Sequence, residues 1–200
     1  MNGKKIAFFD FDGTITTRDS LLEMIKFLKG STAYYTGILL NMPWFIAHQI
    51  HFISGDLLKE KILTYFFSGI SEDIFQEQCD LFADRILPSI IRPAAVTEMD
   101  RLRKEGYDVV IVSASAENWI RKFAKQMSVE LIATRLQVKN GLITGKIDGK
   151  NCKGEQKVIC IKGRWDLKSY DEIYAYGDSP ADKPMMALAT RSFYKPFRES

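Results

Sequence analysis

The hydrophobic pattern along the chain alternates between short apolar runs and longer stretches in which apolar residues recur at helical spacing. Four short runs are apolar and mostly rich in β-branched or aromatic residues, which predicts buried strands. They cover residues 5–9, 109–113, 129–134 and 172–178. An alternating run around Asn140-Gly141 predicts a β-hairpin. Because helical patterns separate the other strands, we expect an α/β fold with a Rossmann-like, doubly wound parallel sheet.

The segment between the first two strands, residues 18–90, carries helical patterns only. Asp19 is placed to cap its first helix, and Gly30 is placed to end it. We therefore predict a core formed by residues 1–17 and 91–200, with residues 18–90 inserted after the first strand as a helical cap.

One part of this predicted cap is unusual because it contains no Asp, Glu, Lys or Arg between Gly30 and Gly55. Polar residues and Pro43 interrupt its apolar runs, which argues against a membrane span. We expect a pair of buried or half-buried helices that are broken at Pro43. The alternative is an apolar surface at residues 30–55 that touches lipid or a lipid-like substrate, in peripheral membrane contact.

The composition is that of an ordinary globular protein, with 46% hydrophobic and 26% charged residues. A net charge of +3 without a basic stripe argues against nucleic acid as a partner. The three cysteines have no CxxC spacing, which argues against a zinc site and favours a reducing compartment. The N-terminal apolar run is too short for a signal peptide, so we expect a cytoplasmic protein. The sequence predicts no particular oligomeric state.

The side chains that are candidates for catalysis or ligand binding lie where the predicted strands end. The first strand delivers Asp10 and Asp12, the second Ser113, and the third Asp178, while Lys157 precedes the third. A single Asp-x-Asp-Gly is often only a turn, and a single Ser or Lys is usually a cap or a solvated side chain. Carboxyl ends of parallel strands meet at one edge, however, so these groups are expected to cluster.

Clustered carboxylates are tolerated when a cation neutralises them. Mg²⁺ could be held by the carboxylates of Asp10 and Asp178 and by the main-chain carbonyl of Asp12. Ser113 and Lys157 could then surround the oxygens of a phosphate. In such a site Asp10 could attack phosphorus as a nucleophile, and Asp12 could act as general acid and base.

The chain resembles the haloacid dehalogenase-like (HAD) hydrolases in the four motifs of that family, which are matched here by DFDGT, VVIVSAS, Lys157 and YGDSPAD. The layout of the chain is similar to the phosphoserine phosphatase-like subfamily with a type 1 helical cap. The resemblance implies a Mg²⁺-dependent phosphomonoester hydrolase that forms an aspartyl phosphate on Asp10. It implies supporting roles for Asp182 and Ser179. The substrate-binding residues it implies are Gly13, Thr14, Asp19, Ser113, Ala114 and Lys157.

The uncharged stretch departs from the phosphoserine phosphatases and looks more like the cap of phosphatidylglycerophosphatase C-like members, which act on a lipid phosphate. A small-molecule or a lipid phosphomonoester therefore remains open as substrate. Two further alternatives are a phosphotransferase of the same fold and a phospho-accepting switch without turnover. Asp12 and the predicted cap argue against the switch, which needs neither.

Overall fold

A computed structural model describes residues 3–198 of the chain, and within this range the strands form one six-stranded sheet in the order β4–β3–β2–β1–β5–β6. The hairpin strand β4 is antiparallel to β3, and every other pair is parallel. The strand bounds are Lys4–Phe9 for β1, Tyr107–Ala116 for β2, Glu130–Lys139 for β3, Leu142–Asp148 for β4, Tyr170–Gly177 for β5 and Arg191–Tyr194 for β6.

Helices cover both faces of this sheet, as the doubly wound prediction requires. Alternate residues of β1 enter different cores: Ala7 and Phe9 belong to one cluster of buried side chains, and Ile6 and Phe8 to another. The first cluster includes side chains of α6 and α7, and the second includes side chains of α8 and α9. These helices span Pro93–Lys104 (α6), Glu117–Gln126 (α7), Glu155–Lys162 (α8) and Lys183–Met186 (α9).

The register of the central strands brings their carboxyl ends to one edge. Phe9, the last residue of β1, pairs with Ile111 of β2 and with Tyr176 of β5. Since β1 lies between β2 and β5, the chain reverses its direction of winding there, which is where open α/β sheets bind ligands.

The chain between β1 and β2 is helical, as predicted, and we call residues 20–90 the helical segment. Its α3 and α4 bury one apolar face each, with Ile62, Leu63, Phe75 and Phe82 in the larger core. The helices span Ser20–Leu40 (α1), Met42–Gln49 (α2), Gly55–Phe67 (α3), Glu72–Arg85 (α4) and Leu87–Ile90 (α5). The domain bounds 1–17 and 91–200 for a core and 18–90 for a cap stay a prediction.

The uncharged stretch differs from expectation in where its second break lies and in how exposed it is. The first helix is interrupted at Gly30, as predicted, where the chain leaves helical geometry (φ 80°), and a second helical stretch follows directly as far as Leu40. The second break comes at Asn41, and Pro43 lies in the first turn of α2, where its missing N–H costs nothing. The helix pair is half-buried: Tyr34 and Phe45 pack against the larger core, while large apolar side chains from Tyr35 to Phe52 are exposed. No helix within residues 3–198 is long and apolar enough to cross a bilayer.

The predicted hairpin is present, and Asn140 and Gly141 have the positive φ angles (52° and 73°) of a tight turn. The edge strand β6 was not predicted, since four residues carry too little pattern to be recognised. The three cysteines, Cys79, Cys152 and Cys160, are free thiols in this structure.

Candidate active site

A cavity of about 390 Å³ lies at the carboxyl edge of the central strands, between the sheet and the helical segment. The sheet side is polar and carries most of the predicted groups. The helical side is mainly apolar. The main polar residues of its wall are Asp10, Asp12, Asp19, Lys59, Ser115, Asn151, Lys153, Lys157, Asp178, Ser179 and Asp182, and the apolar ones from the helices are Leu21, Leu22, Phe45, Leu58 and Ile62.

Asp10 follows the last residue of β1 and is almost fully buried, with 7% of its surface exposed. Its amide donates to the Tyr176 carbonyl over 2.9 Å, which ties it to the end of β5. Its Oδ1 accepts a hydrogen bond from Lys157 Nζ at 2.6 Å, and its Oδ2 accepts one from the Thr14 hydroxyl at 3.2 Å. Burial raises the pKa of Asp10 to about 6, and the attraction of Lys157 opposes that rise.

Asp12 is held by a chain of hydrogen bonds that reaches into the core. Its Oδ1 accepts from the Ser20 amide at 2.7 Å, and its Oδ2 accepts from the Ser115 hydroxyl. Ser20 Oγ donates to Ser115 Oγ at 3.1 Å and accepts from the indole of the buried Trp119 at 3.0 Å. Burial, helped by the nearby charge of Asp19, raises the pKa of Asp12 to about 7. A carboxyl group with that pKa is suited to give and take protons near neutral pH.

Lys157 on α8 is buried between two carboxylates. Its Nζ lies 2.6 Å from Asp10 Oδ1 and 2.7 Å from Asp182 Oδ1. Burial alone would lower the pKa of Lys157, but the two carboxylates outweigh it and raise that pKa. The same contact outweighs the burial of Asp182 and lowers the pKa of Asp182. Lys157 is therefore a fixed cation next to Asp10.

Asp178 and Asp182 follow β5 in different environments. Both oxygens of Asp182 are engaged, Oδ1 by Lys157 and Oδ2 by the hydroxyl of Ser179 at 2.7 Å. Asp178 lies closer to solvent, where its Oδ2 accepts from Arg198 at 2.9 Å. A side chain at Gly13 would collide with Asp178, since a Cβ there would lie 2.4 Å from Oδ2. Gly13, with φ 81°, thus lets the Asp10 loop and Asp178 approach each other.

The cluster of carboxylates formed by Asp10, Asp178 and Asp182 is suited to bind a hard cation. One oxygen each from Asp10, Asp178 and Asp182 lie within 4.8 Å of one another. Carboxylate oxygens are the ligands that Mg²⁺ prefers. Both oxygens of Asp10 and both of Asp182 already accept hydrogen bonds, whereas Asp178 accepts one through Oδ2 among the described residues, so the Asp178 carboxylate is the most open to a direct bond with a cation.

Some predicted substrate-binding residues do not line the cavity. Ser113 and Thr14 are each only 1% exposed: the Ser113 hydroxyl accepts from the Ser115 amide at 3.0 Å, and Thr14 donates to Asp10. Ala114 lines the wall, and its carbonyl accepts from Thr134 at 2.6 Å. Asp19 lines the rim, where it caps α1 by accepting from the Leu22 amide at 3.1 Å.

The sequence prediction missed a second group, which joins the helical segment to the sheet. Lys59 of α3 donates to the Ala114 carbonyl and, at 3.0 Å, to Asn151 Oδ1. Asn151 in turn donates to Asp56 at 2.6 Å. Burial lowers the pKa of Lys59 to about 8, although nearby carboxylates, Asp12 first, oppose that shift.

Two of the residues that the sequence prediction missed, Lys59 and Ser115, could have been identified from patterns in the sequence. Lys59 interrupts the apolar face of α3 that Ile62 and Phe66 continue, so it was a lysine on a buried face. Ser115 shares a strand face with Ser113, because side chains two apart on a strand point the same way. For Asn151, which lies in a loop, no comparable signal is present.

A second cavity, about 580 Å³, lies near the opposite edge of the sheet, between α6 and the start of β2 and β3. Its wall includes Arg103, Lys104, Asp108 and Glu130. That edge holds the amino ends of the strands, and none of the predicted site residues lies there. We therefore assign the candidate active site to the smaller cavity, at the carboxyl edge of the sheet.

The fold and site define a class: an α/β protein whose carboxylates and buried lysine converge at the switch point of a parallel sheet. The family can be stated more narrowly. The model of the haloacid dehalogenase-like hydrolases matches residues 7–187, and the chain belongs to this family.

The chain is also similar to individual relatives and to a solved structure. The chain is 34% identical to Protein CicA of Caulobacter vibrioides, over 96% of this chain and 86% of that protein. It is 26% identical to a phosphoserine phosphatase of Methanocaldococcus jannaschii, over 93% and 82% of the two chains. A Bordetella pertussis protein of unknown function has the same fold, with a TM-score of 0.84 and 22% identity over 96% of this chain and 89% of that one.

Proposed function

We propose that this protein is a Mg²⁺-dependent phosphomonoester hydrolase in which Asp10 forms an aspartyl phosphate. The observation that carries the proposal is the convergence of Asp10, Asp12, Lys157 and Asp178 on one cavity. Phosphoryl transfer needs mainly positioning and neutralised charge, and a buried lysine among carboxylates supports both. The similarity to a protein named phosphoserine phosphatase supports the same reaction type.

Mg²⁺ would be held by the carboxylates of Asp10 and Asp178 and the Asp12 carbonyl, and when bound it would neutralise charge on the phosphate. Lys157 fixes the Asp10 carboxylate at 2.6 Å and carries a permanent positive charge beside it. Asp182 and Ser179 hold Lys157 and the β5 loop in place. Asp10 is thereby kept ionised and oriented for attack, despite the burial that raises its pKa.

In the first step an Asp10 oxygen forms a bond to phosphorus while the bond between phosphorus and the alcohol oxygen breaks. The departing oxygen takes that electron pair, and Asp12 donates the proton that completes the alcohol. In the second step a water oxygen attacks phosphorus, Asp12 takes the proton from the water, and the bond between Asp10 and phosphorus breaks. Ser20 and Ser115 keep the Asp12 carboxyl aimed during both transfers.

We also propose that the helical segment acts as the cap that selects the substrate and excludes water. Its Leu21, Leu22 and Phe45 give the cavity an apolar wall opposite the polar one. This wall favours a phosphomonoester with an apolar or amphipathic leaving group, which keeps a lipid phosphate as the second candidate substrate beside a small polar one. Asp19, at the rim, would contact the leaving group.

The test is phosphate release from a panel of phosphomonoesters, with Mg²⁺ or with a chelator, by the wild type and by Asp10→Asn. The panel contains an aryl phosphate, phosphoserine, sugar phosphates, nucleotides and detergent-dispersed phosphatidylglycerophosphate and lysophosphatidate. We expect Mg²⁺-dependent release by the wild type, no detectable release by Asp10→Asn, and an unchanged rate for the surface control Asp73→Asn.

Other outcomes would identify the alternatives. Consumption of the phosphomonoester without free phosphate, but with phosphorylation of an added alcohol, would indicate a phosphotransferase. A stable phosphoenzyme without turnover would indicate a phospho-accepting switch. Substantial release by Asp10→Asn would contradict the nucleophile assignment.

A further inference from the structure

The exposed hydrophobic side chains of the described chain are concentrated in one place. Of the 15 large hydrophobic residues that are exposed within residues 3–198, eight lie between Tyr35 and Phe52. The most exposed are Tyr35, Leu39, Leu40, Ile50 and Phe52, with Phe52 at 82%. Single exposed hydrophobic residues are common on proteins, but a contiguous group of this kind marks an interaction site. We call the exposed side chains of residues 35–52 the apolar surface.

The chemistry of the apolar surface favours lipid over protein as its partner. Between Gly30 and Gly55 the chain has no Asp, Glu, Lys or Arg, whereas protein interfaces are usually enriched in Arg and depleted in Lys. A charge that enters the acyl region of a bilayer is costly, so a lipid-facing surface must be free of charge. Both Trp44 and Tyr35 belong to this surface, and Trp and Tyr are enriched at membrane interfaces.

Lysine side chains lie at the border of the apolar surface. Lys29 is exposed immediately before the uncharged stretch. The ammonium group of Lys61 lies 4.5 Å from the centre of the Trp44 ring, and that of Lys26 lies 4.9 Å from the centre of the Tyr34 ring. Cations beside aromatic rings at the edge of an apolar surface are suited to anionic lipid headgroups.

We infer that the apolar surface rests on an anionic lipid bilayer, with the second half of α1, α2 and the loop to α3 lying in the interface without crossing it. The surface and the active-site cavity share α2, because Phe45 lines that cavity while Trp44 and Ile46 on either side of it are exposed. Docking would thus place the mouth of the cavity next to headgroups. Membrane docking is independent of turnover, so its test does not depend on the proposed function.

The test is flotation of the full chain with vesicles of phosphatidylcholine and phosphatidylglycerol, compared with phosphatidylcholine alone. The variant Leu40→Gln/Phe52→Gln removes two exposed side chains of the surface that do not line the cavity. The matched control, Ile74→Gln/Ile159→Gln, removes two that are similarly exposed elsewhere, at 56% and 57%. Turnover of a soluble aryl phosphate and circular dichroism check the site and the fold of each protein.

We expect the wild type and the control to float with anionic vesicles and to bind neutral ones more weakly. The surface variant should lose about tenfold or more of its vesicle partitioning. The inference fails if the wild type stays in the soluble fraction, or if the surface variant binds as well as the control. It also fails if the wild type is a dimer that the surface variant dissociates and neither binds vesicles, because the apolar surface would then be a self-association face.

Discussion

Asp12 is the residue whose environment is most informative. A carboxyl group that must protonate a leaving group needs a pKa near neutrality, and burial raises the pKa of Asp12 to about 7. Hydrogen bonds from Ser20 and Ser115 oppose this rise but fix the direction of the carboxyl group. The hydrogen bonds therefore set the orientation of the Asp12 carboxyl group, whereas its burial raises its proton affinity.

The first prediction concerns the leaving group. Asp12→Asn cannot donate a proton, so the loss of kcat/KM should be about 100-fold or more for an alkyl phosphate, whose alkoxide leaves poorly. For an aryl phosphate the loss should be about tenfold or less in the first step, because the phenolate needs no proton. The measurement is kcat/KM for a series of esters of increasing alcohol pKa. Equal losses along the series would show that Asp12 only positions groups.

The second prediction concerns stability. The pKa of Asp12 is 3.8 in its ordinary state and about 7 in the fold. Between those values the folded state binds more protons than the unfolded state, so this carboxyl group makes the free energy of unfolding fall as pH rises from about 4 through 7. Asp12→Asn removes that dependence. In metal-free buffer we expect the stability of Asp12→Asn relative to the wild type to increase by about 2 kcal/mol between pH 5 and pH 8.

Urea denaturation at the two pH values measures this difference. Asp73→Asn, at an exposed position in the first turn of α4, serves as control and should change stability by the same small amount at both pH values. If Asp12→Asn were less stable than the wild type at pH 8, its hydrogen bonds, and not the cost of its buried charge, would dominate.

At the scale of elements, the contact between α3 and the sheet would decide whether the proposed cap stays closed over the site. Lys59 and Asp56 on α3 are linked to the core through Asn151, whose Oδ1 also lies 2.9 Å from the Thr134 hydroxyl oxygen. Lys59 is the only lysine of α3 that lines the cavity, among the described residues. α3 also shares an apolar interface with the sheet, because Leu63 and Phe67 belong to the same buried cluster as Ile143 of β4, so the polar contacts add to apolar packing.

The third prediction follows from this contact. Lys59→Met should shift the opening equilibrium of α3 by about tenfold or more, because it removes two hydrogen bonds from a charged donor. Hydrogen–deuterium exchange in residues 55–67 should become faster, and KM for a soluble substrate should rise. Lys61→Met, on the same helix but outside the cavity, is the matched control. Unchanged exchange in Lys59→Met would mean that apolar packing alone closes the segment.

The elements also show what a single sequence can and cannot predict. β1, β2 and β5 were predictable because their apolar runs end in charged or turn residues, and Asp10, Asp12 and Asp178 follow from those ends. The exposure of the α1–α2 region was not, since apolar side chains on a helix look the same whether they face a core or a bilayer. Ser20 and Asn151 contribute through contacts distant in sequence, which no local pattern records.

For the whole molecule, one topological feature organises the chemistry. β1 lies between β2 and β5, so a single edge of the sheet receives the first and the last carboxylate of the site from opposite ends of the chain. The helical segment, inserted directly after β1, covers that edge with an apolar wall and exposes the apolar surface on the outside. Position in the fold thus connects the proposed chemistry to the proposed membrane contact.

The most direct measurement is the location of the phosphoryl group during turnover. Wild-type protein is mixed with an aryl phosphate and Mg²⁺, quenched in acid within one turnover, digested and analysed by mass spectrometry. We predict one phosphoryl group on the peptide that contains Asp10, absent without substrate and absent in Asp10→Asn. Phosphate release by the wild type with no phosphoryl group on that peptide, or with the group on another residue, would contradict the assignment of Asp10 as the nucleophile.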